Sequence, residues 1–298
     1  NIFGCIAHGL LYFLPVFFVA LAVGSIWDAI FSEVRGRPVD EGLLAFAWLF
    51  TLILPAGTPL YQAGLGMTFG MVVGKHVFGG SGRYLVNPAV LGVIFLLFAY
   101  PDLVFGAGAW IPVPGFTAEL PLQLAGTGGM AALLDAGWTW RELFIGRRPG
   151  AIGTGSALGC VIGAAWLVWT DTASWRVMLG TLLGIIATVL VFNGWAGNGN
   201  AVFGVPWAWH LVLGGLAFGV VFLATDPVAC AMTDAGRWVY GALTGLLAIV
   251  IRVTNPSHGE GILFAILLAS LFAPVIDFVV VELNIRRRRK RLAETAGE

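Results

Sequence analysis

Three carboxylates stand out because they lie within strongly apolar sequence. Asp28 lies near the end of the first apolar run, Asp226 lies in Ala224-Thr-Asp-Pro227, and Asp277 lies in Pro274-Val-Ile-Asp-Phe278. Ionisable groups are costly in lipid, so they are candidates for function by default. The proline after Asp226 ends an apolar run and leaves carbonyl groups without helical partners beside a carboxylate. Such oxygen atoms suit a hard cation such as sodium, whereas a helix cap explains Asp226 equally well, and an interfacial position is the simpler explanation of the other two.

A glycine-rich stretch, Phe78-Gly-Gly-Ser-Gly-Arg-Tyr-Leu-Val-Asn-Pro88, interrupts two apolar segments. Lipid cannot hydrogen-bond the freed backbone groups, so a break of this kind must be buried in protein or line a cavity. A comparable break covers residues 192–206. Matched interruptions in two halves of a transporter indicate a binding site near the middle of the membrane. Elements on both sides of each break must therefore position the candidate site.

Two further patterns carry alternative explanations. Gly150-Ala-Ile-Gly-Thr-Gly-Ser156 has the glycines and hydroxyls of an anion-binding helix entry, but Thr154 or Ser156 as an ordinary N-cap explains the same residues. His76 and His210 could relay protons or donate to a quinone carbonyl, although each borders a predicted interface and is more simply a satisfied polar group. The sequence shows neither metal-ligand spacing nor a neighbouring nucleophile and base.

The composition identifies an integral membrane protein. Hydrophobic residues make up 58% and charged residues 11% of the 298 residues, against about 25% charged in ordinary soluble domains. Mean hydropathy is +0.90. The formal net charge is zero and no basic patch with interleaved aromatic residues is present, so we predict no nucleic-acid partner. Cys5, Cys160 and Cys230 lie far apart and form neither a disulfide framework nor a metal motif.

About nine membrane spans are predicted, on the rule that roughly 20 apolar residues cross a bilayer. They lie near residues 8–31, 42–56, 60–78, 88–100, 156–170, 176–193, 208–224, 238–253 and 261–281. The basic run Arg286-Arg-Arg-Arg-Lys-Arg291 favours a cytoplasmic C-terminus. Nine spans then place Asn1 outside, and because the chain begins without methionine we expect a missing upstream segment with a tenth span.

The predicted organisation is one membrane domain over residues 1–298. It comprises a first repeat near 1–100, an outside loop near 101–155, a second repeat near 156–281 and a basic tail at 282–298. Residues 60–70 resemble residues 175–184, and opposite predicted directions would make the two repeats inverted. The alternative is that glycine-rich helices resemble one another by composition. The proline and aromatic content of the long loop indicates an ordered lid.

Several motifs, taken in order, resemble one family over nearly the whole chain. The motifs are Gly79-Gly-Ser-Gly-Arg-Tyr-Leu-Val-Asn-Pro-Ala89, Phe98-Ala-Tyr-Pro101, Pro206-Trp-Ala-Trp-His-Leu-Val-Leu-Gly-Gly215, Ala224-Thr-Asp-Pro-Val228, Gly236-Arg-Trp-Val-Tyr-Gly241, Ile251-Arg-Val-Thr-Asn-Pro256, Glu260-Gly261 and Leu271-Phe-Ala-Pro274. Together they resemble the B subunits of sodium-pumping NADH:quinone oxidoreductases and, more distantly, the D subunits of Rnf complexes.

The resemblance implies an all-α protein with broken helices, ten spans and the inverted-repeat fold of urea transporters. It implies flavin-mediated electron flow to quinone, coupled to sodium movement, within a complex of about six subunits in the bacterial inner membrane. Riboflavin or FMN would contact the glycine-rich loop, where Asn87 matches the family and Tyr84 replaces an Asn. The loop's other candidate contacts are Gly79, Gly80 and Arg83.

The resemblance implies roles for further residues, some of them outside these motifs. Gly24 and Ser25 occupy the quinone region, where relatives have two glycines. Asp28, Asp226 and Asp277 match acidic residues linked to sodium handling, and the first of these is Glu in relatives. These assignments are what the resemblance implies, and they agree with the three carboxylates singled out by their apolar surroundings.

The chain departs from the family at the covalent flavin. Relatives attach FMN to the Thr of an Asp-Gly-x-Ser-Gly-Ala-Thr motif, which falls here on Pro114-Gly-Phe-Thr-Ala-Glu-Leu120. Leu120 stands at the acceptor position and has no oxygen for a phosphoester. Thr117 is the nearest hydroxyl, but it occupies the motif's Ser position. We therefore expect no covalent FMN, and any flavin to be held without a bond.

Three functions remain open at the level of sequence. The first is a membrane subunit of an Nqr- or Rnf-type redox complex that moves sodium or protons. The second is a channel or carrier for ions or small solutes on the same fold, which the lost acceptor favours. The third is a scaffold that holds redox partners together. A flavin spectrum would separate them.

Overall fold

The computed structural model describes residues 2–39, 42–101, 120–147, 149–195, 200–255 and 261–296. Within these ranges all regular structure is helical. In chain order the elements are α1 (Ile2–Arg35), α2 (Leu43–Ile53), α3 (Leu60–Phe69), a π-helix π1 (Gly70–His76), α4 (Pro88–Ala99), α5 (Pro121–Asp135), α6 (Trp140–Ile145), α7 (Ala157–Trp169), α8 (Trp175–Asn193), a 3₁₀ turn (Ala201–Gly204), α9 (Trp207–Val212), α10 (Leu216–Phe218), a second π-helix π2 (Gly219–Leu223), α11 (Asp234–Thr254) and α12 (Gly261–Ala296).

Each predicted span coincides with a described helix or broken helix. Four helices are long and apolar enough to cross a membrane by length and composition, and they lie at Ile6–Arg35, Trp175–Asn193, Asp234–Thr254 and Gly261–Glu294. Leu43–Ile53, Pro88–Ala99 and Ala157–Trp169 are apolar but shorter. A helix of 11 residues is about 17 Å long, so it covers about half of the hydrocarbon layer. The chain is an all-α, multi-pass membrane protein that combines full-length and partial helices.

Both π-helices continue an α-helix and precede an irregular segment. α3 runs into π1, and α10 runs into π2. Gly70, the first residue of π1, lies so close to α4 that a Cβ atom would be 2.3 Å from the Pro88 carbonyl oxygen. Gly219, the first residue of π2, would clash with Ile262 in the same way. Close packing by glycine thus accompanies each change from α to π geometry, a rare change that is frequent at functional sites.

A glycine seam joins α8 to α11. A Cβ atom on Gly184 would lie 2.3 Å from the Ala242 carbonyl oxygen, and one on Gly245 would lie 2.2 Å from the Thr181 carbonyl oxygen. The two backbones therefore touch directly, as membrane helices with small residues spaced four apart commonly do. Since no methyl group fits at Gly184 or Gly245, these glycines determine both the distance and the register between α8 and α11.

The helices of the predicted repeats have different neighbours. In the structure α3 lies against α1 and α4, whereas α8 lies against α11, which also contacts α12. The resemblance of residues 60–70 to residues 175–184, and the inverted repeat drawn from it, stay predictions. Glycine spacing of this kind recurs wherever two membrane helices approach closely.

The described part of the long loop contains two helices. α5 and α6 bury Leu122, Leu133 and Leu143 in a small apolar cluster together with residues of α9. α6 begins with a capping box, in which Thr139 and Glu142 exchange side-chain and backbone hydrogen bonds. The Thr139 hydroxyl and amide lower the pKa of Glu142, because they favour the charged carboxylate. α12 continues to Ala296, so most of the predicted basic tail at 282–298 is part of this helix.

Candidate functional site

Asn87 ends the glycine-rich loop and begins α4. Its Oδ1 accepts hydrogen bonds from the amides of Ala89 at 2.9 Å and Val90 at 3.4 Å, and Pro88 takes the first helical position, where no amide donor is needed. The side chain is 1% exposed. Capping therefore uses the amide oxygen and leaves the Nδ2 group directed elsewhere.

Asp226 repeats this arrangement in the second half of the chain. Its Oδ1 accepts from the amides of Val228 at 2.9 Å and Ala229 at 3.3 Å. Asn87 Nδ2 donates to Asp226 Oδ2 at 2.7 Å, and the Tyr84 hydroxyl lies 3.1 Å from Oδ1 and 3.3 Å from Oδ2. The two Asx-Pro turns thus meet side chain to side chain. Asp226 thus caps a turn at residues 227–229 rather than a described helix, and its carboxylate joins that turn to the glycine-rich loop.

The glycines of the loop shape its backbone. Gly79 and Gly80 have φ values of 118° and 100°, in the left-handed region that glycine adopts without strain. Their amides donate to the carbonyl oxygens of His76 and Lys75, both at 3.0 Å, which closes the end of π1. Arg83 is exposed beyond this turn. The contacts of Gly79 and Gly80 are therefore structural, and they set the direction in which the loop returns toward α4.

A cavity of about 560 Å³ lies beside the paired Asx residues. Its lining includes the aromatic side chains Phe46, Trp48 and Phe222 and the hydrogen-bonding side chains Tyr84, Asn87, Thr172, Thr225 and Asp226. This volume is within the range of small-molecule sites, about 300–1,000 Å³. Asn87 uses one Nδ2 proton on Asp226, and an amide nitrogen has two. The cavity therefore combines flat apolar walls with a polar end.

Asp28 lies in a second buried cluster with different partners. Lys75 Nζ is 2.8 Å from Asp28 Oδ1, and both side chains are fully buried. His76 Nε2 is also 2.8 Å from Oδ1, but outside the direction of a hydrogen bond. The His76 ring stacks on Phe31 with centroids 4.3 Å apart, and Arg35 donates to the His76 carbonyl oxygen. Two consecutive residues of π1, Lys75 and His76, therefore lie at the same carboxylate oxygen of Asp28.

One aromatic ring connects the two clusters. Lys75 Nζ lies 5.9 Å from the centroid of the Phe46 ring, and Phe46 packs edge to face on Tyr84 with centroids 5.5 Å apart. Tyr84 in turn contacts Asp226. Sequence reasoning missed both Lys75 and Phe46. Lys75 did carry a signal, because a lysine inside an apolar run is as costly in lipid as the three aspartates.

Asp277 ties α12 to the start of α11. Its Oδ2 accepts from the Met232 amide at 2.6 Å, and its Oδ1 accepts from the Thr233 amide at 2.9 Å and the Thr233 hydroxyl at 2.5 Å. A carboxylate at a helix N-terminus is favourable because the free amides and the helix dipole attract negative charge. A smaller cavity of about 260 Å³ lies here, lined in part by Asp277, Arg83 and Tyr84.

The remaining predicted residues lie apart from the 560 Å³ cavity. Gly24 is buried in α1 against Leu43, while Ser25 is exposed and donates to the Leu21 carbonyl oxygen at 2.8 Å. Ser156 is the N-cap of α7 and accepts from the Gly159 amide at 3.2 Å, as the capping alternative predicts. Thr154 is buried in the preceding turn. None of these predicted residues lines the cavity.

The position of the missing flavin acceptor lies at the edge of the described chain. Leu120 is the N-cap residue of α5. It offers no side-chain oxygen, either for capping or for a phosphoester. Pro114, Thr117 and Glu119 lie outside the described residues, so the expectation that FMN is not attached remains a prediction.

These features define a class of protein, a multi-pass helical membrane protein whose interrupted helices bring buried charges to a cavity. A sequence model of the NQR2, RnfD, RnfE family matches residues 2–286, and the chain belongs to that family. It is 46% identical over 291 residues to the B subunit of the Na(+)-translocating NADH-quinone reductase of Pseudomonas paraeruginosa, covering 98% of this chain and 72% of the relative.

Two further relatives carry the same name. The B subunit from Chromohalobacter salexigens is 48% identical over 283 residues, covering 95% of this chain and 69% of the relative. That of Haemophilus influenzae is 46% identical over 289 residues, covering 96% and 70%. The family resemblance predicted from the motifs is therefore confirmed across nearly the whole chain.

Proposed function

We propose that this chain is a membrane subunit of a sodium-translocating NADH:quinone oxidoreductase. In this proposal electrons pass through a non-covalent flavin, riboflavin or FMN, to a quinone, and the transfer drives a cation across the bacterial inner membrane. The 560 Å³ cavity at the Asn87–Asp226 pair is the observation that carries the proposal. The relatives described above are all named as reductase subunits, which gives no support to a channel or a scaffold.

The cavity fits the chemistry of a flavin ring. Phe46, Trp48 and Phe222 offer apolar and aromatic surface to a flat heterocycle, since aromatic rings stack in offset or edge-to-face contacts. Asn87 can donate its second Nδ2 proton to a ring carbonyl, and its capping bonds hold that amide in one orientation. A bound flavin would supply one- and two-electron chemistry. The chain's own residues would orient the ring, exclude water and fix the donor.

The three carboxylates would handle the cation. Asp226 faces the proposed flavin cavity, and its negative charge is compensated in the described residues by neutral donors. Asp277 lies at the smaller cavity, which shares Tyr84 with the larger one. Asp28 pairs with Lys75, whose Nζ lies 5.9 Å from the centroid of the Phe46 ring. Phe46 and Tyr84 thus lie among the three carboxylates. In this proposal a cation passes from one carboxylate to the next beside these two rings, bound at each step by oxygen ligands.

The quinone would approach from the lipid at α1. Ser25 is exposed on this helix, and Gly24 beside it allows α1 to pack closely on Leu43. An exposed hydroxyl next to a closely packed backbone can contact a lipid-soluble carbonyl compound. In the same proposal the basic residues at the end of α12 face the cytoplasm, because positive charges flanking a span favour that side.

Flavin attachment can be tested directly. The purified complex should bind a yellow, fluorescent flavin in its native state, yet this chain should show no fluorescent band on a denaturing gel, because Leu120 has no acceptor oxygen. Mass spectrometry of residues 112–127 should find no added FMN. A flavin adduct in that range would contradict the non-covalent assignment, and a complex without any flavin would contradict the redox function itself.

The role of Asn87 can be separated from its capping role. Asn87→Ser retains an oxygen that can cap α4 but removes the Nδ2 donor. We expect this variant to assemble and to lose most of its bound flavin, measured as the flavin-to-protein ratio after gel filtration. Ser156→Asn, which exchanges one good cap for another at α7, is the matched control and should keep its flavin. Normal flavin content in Asn87→Ser would leave Asn87 with a capping role alone.

A further inference from the structure

The Asp28–Lys75 pair is difficult to explain as a source of stability. Both side chains are fully buried and their charged atoms are 2.8 Å apart. Burying two charges removes the hydration of both, and replacing such a pair by apolar side chains of similar volume is often neutral or stabilising. The pair joins α1 to π1. Its presence therefore calls for a role other than packing.

The carboxylate of Asp28 is also incompletely satisfied. Oδ2 is buried and has no hydrogen-bond partner among the described residues, and His76 Nε2 lies near Oδ1 without making a hydrogen bond. A buried acceptor without a donor is costly. A metal cation held by both carboxylate oxygens would satisfy Oδ2 as well as Oδ1, which a single ammonium group at Oδ1 does not.

We propose that the Lys75 ammonium occupies a monovalent-cation site at Asp28, and that sodium binds there by displacing it. This inference rests on the proposed cation-handling function and adds the residue that competes for the site. In its present position Nζ already lies 5.9 Å from the centroid of the Phe46 ring, so a shift of the ammonium toward this ring would keep an aromatic contact. Gly80 and Gly79 hold the backbone of Lys75 and His76 through their amides, so the exchange requires movement of the side chain alone.

The inference predicts that sodium can replace the missing ammonium. In Lys75→Met the buried Asp28 carboxylate loses its counter-ion, and a cation from solution should restore it. The measurement is the thermal unfolding midpoint of the purified complex in sodium chloride and in choline chloride at equal ionic strength. We expect Lys75→Met to unfold earlier than the parent in choline and to gain about 3 °C or more in sodium.

Two controls complete the experiment. Lys290→Met makes the same substitution at the chain's other lysine, which is exposed on α12, and should respond to sodium as the parent does. The double variant Asp28→Asn/Lys75→Met removes both charges and should show no added response. An equal sodium response in Lys75→Met and the parent, or an added response that survives in the double variant, would overturn the proposal.

Failure of Lys75→Met to assemble would still be informative. Assembly of the double variant but not of the single one would identify the uncompensated Asp28 carboxylate as the defect and support the proposal. Failure of both variants would assign Lys75 to packing and overturn it. The readout is the difference between the midpoints in sodium and in choline at one flavin content, and it needs no turnover, so the result can be obtained whether or not the complex contains a flavin.

Discussion

Two buried aspartates of this protein have carboxylates that are stabilised in opposite ways. Asp28 lies against the charged Lys75 and beside His76, with one carboxylate oxygen lacking a hydrogen bond in the described residues. Asp226 has neutral partners, namely two backbone amides, the Asn87 amide and the Tyr84 hydroxyl, shared between both oxygens. One carboxylate is compensated by charge, and the other is stabilised by hydrogen bonds that converge from two halves of the chain.

The difference predicts how each site responds to change. A charge-compensated carboxylate depends on one partner, so loss of either member leaves a buried, uncompensated charge. A carboxylate held by several neutral donors loses a fraction of its stabilisation with each donor and keeps its shape. The first arrangement suits exchange of one cation for another, and the second suits a fixed negative charge beside a cavity.

The same substitution at both sites should give the largest contrast. Asp28→Asn leaves the Lys75 ammonium buried beside a neutral amide, and we expect a loss of about 3–5 kcal/mol of stability. Asp226→Asn should cost about 1–3 kcal/mol, because its amide keeps an oxygen for the Val228 and Ala229 amides. Thermal unfolding of the two complexes measures the difference. Equal losses would remove the distinction between the sites.

Exchanging Asn87 and Asp226 tests whether the hydrogen-bonded arrangement needs one carboxylate and one amide. In Asp226→Asn alone, the new amide group would face the Asn87 amide. We expect the sodium concentration for half-maximal turnover to rise about tenfold, which corresponds to a loss of about 1.4 kcal/mol of binding free energy. The double variant Asn87→Asp/Asp226→Asn restores one carboxylate and one amide. It should recover both stability and most of the sodium affinity. An unchanged sodium dependence in the single variant would leave Asp226 with a capping role.

The smallest effect is expected at Tyr84. Tyr84→Phe removes the hydroxyl that Asp226 accepts from but keeps the ring that packs on Phe46. We expect a loss of about 1 kcal/mol, within the ordinary range for one hydrogen bond, measured by thermal unfolding. Tyr240→Phe removes a hydroxyl that lies 3.4 Å from Ser270 in the buried core and serves as a matched control. A Tyr84→Phe loss as large as that of Asp28→Asn would contradict the shared-donor description of Asp226.

Sequence reasoning located the helices because hydrophobicity is a local property. Every predicted span coincides with a helix or a broken helix, and the break at Phe78–Pro88 and the helix end before Pro227 were predicted from glycine and proline. The break that matches Phe78–Pro88 was predicted at residues 192–206, whereas the segment that meets Asn87 in the structure is the one at Asp226. The conversion to π geometry in π1 and π2 was not predicted, since it depends on contacts such as Gly70 against Pro88. α5 and α6 were missed because their apolar faces are short and are completed by residues of α9.

The candidate site was predicted as a set of residues but not as a geometry. Asp226 and Asn87 were both singled out, yet their hydrogen bond joins positions 139 residues apart, and spacing along the chain carries no information about it. The pairing of Asp28 with Lys75 was missed for the same reason. By contrast, the Ser156 cap was one of two explanations available from sequence, because capping acts within a few residues.

α12 makes the chain's C-terminal end mechanically stiff. Its 36 residues span about 54 Å, of which about 30 Å suffices to cross the hydrocarbon layer. Asp277 fastens this rod to the start of α11, and Lys290 lies 13 residues, or about 20 Å, further along the helix axis. A tilt of about 5° around Asp277 would therefore displace the basic end by roughly 2 Å. A movement at the start of α11 would therefore be transmitted to the basic residues 286–291, because no loop lies between Asp277 and these residues.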